Sequence, residues 1–475
     1  MSEQRPIRIA VLGGDSTGKT SLVSRLTLDM VHEVHYPTRT QTNWLFEFIP
    51  RSNLAKAILD NSPHERLLLR SQSSQKPQPI FDSPSISPYI LLSPLVFQSY
   101  INDFTKIKTQ HKKSSSNNNH LKQLNLITSD TPYYSYLDSS KEIDHKKRKR
   151  NLTAGDINPK IKDIESSVKL PPNYIPPNYT PIPIDIIDTP GFKPEMVVPF
   201  LEVSLFRNLG KNVLKGLANE PRRPVSTTSL LVASGASELN GKIDGYIFVY
   251  SSVPELSHIR SPPQYSRSDS QINLNFAPNE SLKDDSSGKT TVTTSSNSSY
   301  SWSSFQRKND GGYSLLEIIR NSMLDAWTEF RNYQTRWNKG KESDVYSLVY
   351  SFKNMWKTEK ERNEKLQQLR SFNTTLDSID LEPSSPDAPP PAIIVCTHVG
   401  DPLSSPLLIE KGRALATQWK CGFVALDNMD DCNVDVSISL LIRDIVEKEK
   451  LLSGSNNGKN NNTTTANSLM NFIKV

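Results

Sequence analysis

Long apolar runs are missing from this chain. Nowhere does it hold the roughly 18 uninterrupted apolar residues that a helical membrane span needs. An apolar leader is lacking at the amino terminus, Ser2 stands where myristoylation requires glycine, and Asn471-Phe472-Ile473-Lys474-Val475 offers no cysteine to prenylate. The expectation is a cytoplasmic chain with no direct membrane anchor. Cysteine is scarce as well: Cys396, Cys421 and Cys432 lack paired spacing, which argues for reduced thiols and against a disulfide-stapled secreted domain. Neither sign of charge dominates. A net charge of +6 is modest for 475 residues and does not by itself imply nucleic acid as a partner. Hydrophobic residues make up only 35%, and the 33 prolines sit mostly in Ser/Pro/Asn tracts, so although the length suggests two or three domains, much of the chain is expected to be loop.

Against this background one stretch stands out. Gly13-Gly14-Asp15-Ser16-Thr17-Gly18-Lys19-Thr20-Ser21 follows the apolar run Ile7, Ile9, Val11, Leu12 and precedes a segment, Leu22 to Met30, with helical apolar spacing. It fits G-x-x-x-x-G-K-[ST] through Gly13, Gly18, Lys19 and Thr20. Glycines let the backbone curl so that successive N–H groups face one anion. Lys19 offers a point charge to terminal phosphates, and the Thr20 hydroxyl suits Mg²⁺. A strand before and a helix after supply the context that turns the pattern into a phosphate cradle, because the helix N-terminus adds partial positive charge.

Beyond the cradle, Trp44 to Ile49 reads as a strand, as do Ile182 to Ile187, Ile243 to Tyr250, Ala392 to Cys396 and Gly422 to Leu426. Val197 to Leu217, Tyr313 to Trp337, Leu407 to Trp419 and Val434 to Leu452 read as helices, and Val345 to Trp356 as a further amphipathic helix suited either to core packing or to a partner. This alternation predicts an α/β fold, a mostly parallel sheet with helices on both faces, interrupted by long disordered insertions. The expected divisions are a core in three main parts (1–50, 181–255 with an inserted loop at 218–241, and 391–452) plus its helix at 313–337. Between them lie a low-complexity insertion at 51–180, a Ser-rich one at 256–312, and one at 338–390 carrying the amphipathic helix; an Asn-rich tail spans 453–475. Within the first insertion, Tyr89 to Phe104 is apolar enough to dock on something.

The order of motifs resembles the Ras-like small GTPases of the P-loop superfamily. Thr38 lies 19 residues after Lys19, where that family places its switch threonine, and Asp188-Thr189-Pro190-Gly191 resembles its D-x-x-G motif. Cys396-Thr397-His398-Val399-Gly400-Asp401 stands where the family carries N-K-x-D, and Asp427-Asn428-Met429 where its last base-contacting loop falls. The resemblance implies GTP or GDP held by Gly13, Asp15, Ser16, Thr17, Gly18, Lys19, Thr20, Ser21, Gly191, His398 and Asp401, with Mg²⁺ at Thr20, Thr38 and Asp188. Three departures accompany it. Asp15 puts a carboxylate where the Ras branch has glycine, Phe192 replaces the glutamine that orients water, and His398 replaces the asparagine of the base motif. Hydrolysis in this class depends on positioning and charge stabilisation, so poor or absent turnover is expected, with no catalytic residue assigned. Two functions follow: a guanine-nucleotide switch acting on effector or regulator proteins, or a pseudo-GTPase scaffold that localises regulators of Rho-type GTPases at the cell cortex or division site. An ATP-using P-loop enzyme is a third, lacking an accompanying substrate motif.

Other signals stay open. The run His145 to Arg150 reads as a nuclear-import signal, a contact for anionic lipid or a solvated charge cluster. Trp302 has no evident partner in the sequence, and the Ser-Pro pairs at Ser83, Ser87, Ser93, Ser261 and Ser385 suit turn initiation or phosphorylation.

Overall fold

Ile7-Arg8-Ile9-Ala10-Val11-Leu12-Gly13 forms strand β1 (Ile7–Gly13), and its period-two pattern decides which side chain faces which layer. Ile7, Ile9 and Val11 enter one apolar cluster, while Ala10 and Leu12 enter another on the opposite face. In this computed structural model the residues described are 5–31, 37–70, 78–114, 136–137, 168, 170–206, 242–254, 310–328, 330–331, 380–429, 431 and 433–459. All belong to one compact unit, made of residues 1–254 and 310–475.

Among the described residues the main sheet has eight strands. Those beyond β1 are β2 (Thr42–Phe48), β3 (Ser85–Ser87), β4 (Ile90–Leu91), β7 (Ile182–Asp188), β8 (Gly245–Ser251), β9 (Ala392–Thr397) and β10 (Gly422–Ala425), in the order β2-β7-β1-β8-β9-β10-β4-β3. The central run β7-β1-β8-β9-β10 is parallel, whereas β2, β4 and β3 pair antiparallel at the two ends. A separate pair joins β5 (Tyr136–Leu137) to β6 (Asn178–Tyr179).

Helices cover both faces. On one lie α1 (Lys19–Leu28), α2 (Asn53–Leu59), α3 (Pro63–Arg70), α4 (Pro94–Ser114) and α8 (Val434–Lys459), whose Leu22, Ile58, Val96 and Ile438 pack with Ile9 and Val11. On the other lie α5 (Pro194–Phe206), α6 (313–328) and α7 (Pro406–Trp419), whose Phe200, Leu316, Ile319 and Leu415 pack with Leu12 and Phe248. Each fully buried side chain of this kind contributes about 1.5–3 kcal/mol. Among the described residues no helix is long and apolar enough to cross a membrane.

The expectation of a low-complexity insertion throughout 51–180 requires correction. Residues 53–114 carry α2, α3, β3, β4 and α4, and β4 extends the main sheet by pairing with β10. Ala55, Ala57, Ile58 and Leu59 are completely buried, and Tyr100 of α4 donates from its hydroxyl to the Ile58 carbonyl oxygen at 2.7 Å. The Tyr89–Phe104 stretch docks as its apolarity suggested, against α8, where the Ser93 hydroxyl meets Asp444. Averaged composition concealed these elements because α2 and α3 are only seven and eight residues long, β3 and β4 are shorter still, and Pro, Ser and Asn lie between them.

Further along, α5 begins at Pro194, a favourable first-turn residue, three positions before the expected start. Residues 310–312, assigned by sequence to the Ser-rich insertion, belong to the folded unit: the Gly311 carbonyl accepts the Ser251 N–H at 2.9 Å, and Asp310 Oδ2 accepts the Ser314 N–H at 2.9 Å at the start of α6. The inserted loop at 218–241, the Val345–Trp356 helix, the run 145–150, Trp302, Ser261 and Cys432 lie outside the described residues.

Candidate functional site

The loop between β1 and α1 is shaped by close backbone approach at both ends. A Cβ on Gly13 would stand 2.3 Å from the Val249 carbonyl oxygen of β8, so only glycine lets β1 end this near its neighbour. Gly18 adopts φ 81° as the cap of α1 and supplies no side chain to the first turn. The helix therefore begins with N–H groups that Gly18 cannot satisfy, which is how an anion site is built. Between them Ser16 takes φ 56°, and the Thr17 hydroxyl closes the loop by donating to the Gly14 carbonyl at 3.0 Å.

Lys19 is buried beneath this loop. Its ammonium donates to the Gly13 and Gly14 carbonyl oxygens at 3.1 and 2.6 Å. Burial lowers its pKa to about 8, an effect opposed by the nearby Asp188 and Asp15 carboxylates. Thr20 is exposed; its hydroxyl lies 2.6 Å from the Thr38 hydroxyl and donates to Asp188 Oδ2 at 2.7 Å. Ser21 follows in the first turn, half-buried.

Asp188 ends β7 with 1% of its surface exposed, and its second oxygen, Oδ1, has no hydrogen-bond partner. Burial raises its pKa, while the Thr20 hydroxyl and Lys19 pull it down. Two hydroxyls beside a carboxylate with one unused buried oxygen form a hard donor set. This set fits Mg²⁺, which keeps several waters and takes one or two carboxylates together with substrate phosphates. Among the described residues no group of three or more His, Cys, Asp or Glu gathers as an all-protein metal cage.

The Asp188–Gly191 turn is fastened to the loop. The Thr189 hydroxyl donates to the Val11 carbonyl at 2.6 Å, and the Phe192 N–H donates to the Gly13 carbonyl at 3.0 Å. A Cβ on Gly191 would fall 1.7 Å from Asp15 Oδ1, so the Asp15 carboxylate lies directly on Gly191. Phe192 does not face this space. Its ring is 4% exposed and tilts against Phe200 of α5 at 5.2 Å, inside the core.

The far side is formed by the ends of β9 and β10. His398 takes φ 60°, its Nδ1 lies 3.0 Å from both the Ser251 and Thr397 hydroxyls, and Cε1 would be 3.1 Å from a Cβ on Gly18. Asp401 turns Oδ1 to the Leu403 N–H at 2.8 Å. Asp427 accepts the Gly400 and Met429 N–H groups at 2.8 Å each, holding the two loops together. Asn428 Nδ2 donates to the Gly18 carbonyl at 3.2 Å, which fixes the amide orientation and leaves its Oδ1 buried without a partner.

Of the sequence-predicted residues, Gly13, Lys19, Thr20, Thr38, Asp188, Gly191 and His398 thus converge from β1, α1, the segment before β2, β7 and the end of β9, whereas the Asp401 side chain engages its own loop. Phe192 joins the core. Sequence reasoning missed three supports: the Thr397 hydroxyl donating to the Thr17 carbonyl at 2.7 Å, Ser251 beneath His398, and Arg25 donating to the Asn428 and Met429 carbonyls at 2.7 and 2.6 Å. Arg25 carried a usable signal as a cation on the last turns of α1. The two hydroxyls carried none, because their partners are defined only once the chain closes. A cleft lined by Arg320, Pro390, Trp419, Asp444 and Lys448 shares no residue with this site.

No protein-family model matches the chain, and no solved structure matches it. The chain is 57% identical over 466 residues to the uncharacterized protein YPR084W of Saccharomyces cerevisiae, an alignment spanning 96% of this chain and 91% of the yeast protein. At that identity and coverage, this chain belongs to the same family as the yeast protein.

Proposed function

We propose that this protein is a P-loop guanine-nucleotide-binding protein with a Ras-like core, poor or absent GTP hydrolysis and a signalling role. The observation that carries the reading is the convergence of Lys19, Thr20, Thr38, Asp188 and Gly191 at the start of α1, with His398 and Asn428 against Gly18. The parallel run β7-β1-β8-β9-β10, with the antiparallel β2 at its edge, supports the same fold assignment. Each residue has a task in this scheme. The loop N–H groups and Lys19 hold phosphate oxygens, Thr20, Thr38 and Asp188 hold Mg²⁺, and Asp401 accepts hydrogen bonds from the guanine edge. Bound Mg²⁺ would neutralise phosphate charge and orient the phosphate chain.

The burial of Phe192 favours a second reading beside the first. With that side chain in the core, the residue after Gly191 supplies nothing to orient an attacking water. A scaffold that binds nucleotide without cycling it, and that partners carry to the cell cortex or division site, suits that arrangement. One experiment tests the shared basis of both: nucleotide released from purified, denatured protein should be GDP or GTP, and Lys19→Ala should abolish it. Retention unchanged in Lys19→Ala would overturn the cradle assignment. In competition assays, ATP displacing a labelled guanine nucleotide as well as GDP does would overturn guanine selectivity.

A further inference from the structure

The phosphate end of the site is closed by contacts that a two-phosphate ligand and a three-phosphate ligand would experience differently. Phosphate oxygens that reach both Lys19 Nζ and a cation at Thr20 and Asp188 lie on the α1 side of the loop. On the nucleotide-site reading, a further phosphoryl group would extend toward residues 13–15 and 190–192, where Asp15 meets Gly191. That space is taken. Asp15 Oδ1, Cγ and Cα would lie 1.7, 2.5 and 2.8 Å from a Cβ on Gly191, so carboxylate and backbone both meet the glycine. Rotating the exposed Asp15 side chain away removes the first contact and leaves the second.

Separating the two segments has a consequence in the core. The Phe192 N–H bonded to the Gly13 carbonyl spans the same gap, and the Phe192 ring is anchored beside Phe200. A third phosphoryl group there would meet a carboxylate at contact range and border the Phe192–Gly13 bond, whose loss would draw an aromatic side chain from its packing. A diphosphate would meet neither.

We propose that the site selects a nucleoside diphosphate over the triphosphate, with Asp15 as the residue that excludes the third phosphoryl group. This rests on the nucleotide-site reading above but not on the identity of the base. Asp15 acts in two ways: its charge repels the added phosphate, and its contact with Gly191 keeps the Asp188–Gly191 turn against the loop.

Equilibrium binding of GDP and of a non-hydrolysable GTP analogue to the nucleotide-free full chain in Mg²⁺ tests this, with ADP and an ATP analogue as a parallel pair. The wild type should bind the diphosphate about tenfold or more tightly than the triphosphate analogue. Asp15→Gly should bring the two affinities together, mainly by strengthening triphosphate binding, and Asp15→Asn, which keeps the shape and removes the charge, should fall between. Both variants alter an exposed side chain, and far-UV circular dichroism checks that they fold. Equal affinities in the wild type, or a ratio unchanged in Asp15→Gly, would overturn diphosphate selection while nucleotide binding stands. Failure of all four nucleotides to bind would overturn the nucleotide site, and this inference with it.

Discussion

Lys19 is held under two opposed demands. Its ammonium is buried and its pKa falls from 10.5 to about 8, so on the proposed reading it would have to be protonated to receive a phosphate, although burial makes it give up that proton readily. Above pH 8 binding has to recruit a proton, and affinity for nucleotide should decline as pH rises from 7.5 to 9; isothermal titration showing constant affinity across that range would contradict it. The same shift has a sign for stability. The unfolded chain keeps the proton up to about pH 10.5 and the folded chain loses it near 8, so the burial penalty is fully present below 8 and relieved between 8 and 10.5. Both carbonyls that Lys19 contacts have another donor, the Phe192 N–H for Gly13 and the Thr17 hydroxyl for Gly14. Nucleotide-free Lys19→Met should therefore melt no lower than the wild type at pH 7, with its advantage shrinking toward pH 10, while nucleotide retention is lost. A melting temperature several degrees below wild type at pH 7 would mark Lys19 as a structural residue instead. Phe192 behaves in the opposite way: Phe192→Gln places an amide in the core, with an expected loss of about 3 kcal/mol in chemical denaturation and no gain in hydrolysis.

At the scale of elements, α2, α4 and α8 form one structure. Arg443 of α8 is buried and donates to the Asp60 carbonyl at 3.0 Å and to the Ser99 hydroxyl at 3.0 Å, and it pairs with Glu447 at 3.0 Å. Asp60, itself fully buried, accepts from the Tyr174 hydroxyl at 2.8 Å and pairs with Arg66 at 3.1 Å. Arg443→Met should cost about 3 kcal/mol, because the carbonyl and carboxylate it serves remain buried. Hydrogen exchange should rise first in α2 and α4, and exchange rising equally in β1 and β8 would show no special coupling. These elements also show where sequence reading succeeded and where it fell short. β1, β8 and β9 were legible because β-branched runs at the centre of a parallel sheet are buried on both faces. The loop at 13–20 was legible because its glycine spacing is fixed by the backbone geometry it must adopt. The rest of the 53–114 segment beyond Tyr89–Phe104 was not, since α2 packs on α8, more than three hundred residues away. The position of Phe192 was hidden for a similar reason: the motif supplies its place in the chain, and α5 decides which way its ring turns.

At the scale of the whole molecule, nucleotide would bridge segments that meet only in the folded chain. The β1–α1 loop and α1 supply the cradle and the Thr20 hydroxyl, the segment before β2 the Thr38 hydroxyl, β7 the carboxylate, and the loops after β9 and β10 His398 and Asn428. A ligand that binds only this closed arrangement stabilises it by about 2.7 kcal/mol at a concentration one hundred times its Kd, so unfolding should shift upward with GDP concentration for the entire unit, 53–114 included. Turnover separates switch from scaffold. In a loose phosphoryl-transfer transition state the protein orients water and stabilises charge spread over the transferring group. Here the side chain after Gly191 is committed to the core, and on the proposed reading the Asp15 carboxylate against Gly191 would add negative charge beside the transferring group. Single-turnover hydrolysis of preloaded GTP is expected at or below about 10⁻⁴ per second, the intrinsic level of the slow members of this class. Asp15→Gly alone should admit the triphosphate more readily but leave that rate low, because removing repulsion does not supply a group to position water. A brisk wild-type rate would require another residue to orient the water, and the scaffold reading would then fall in favour of a cycling switch.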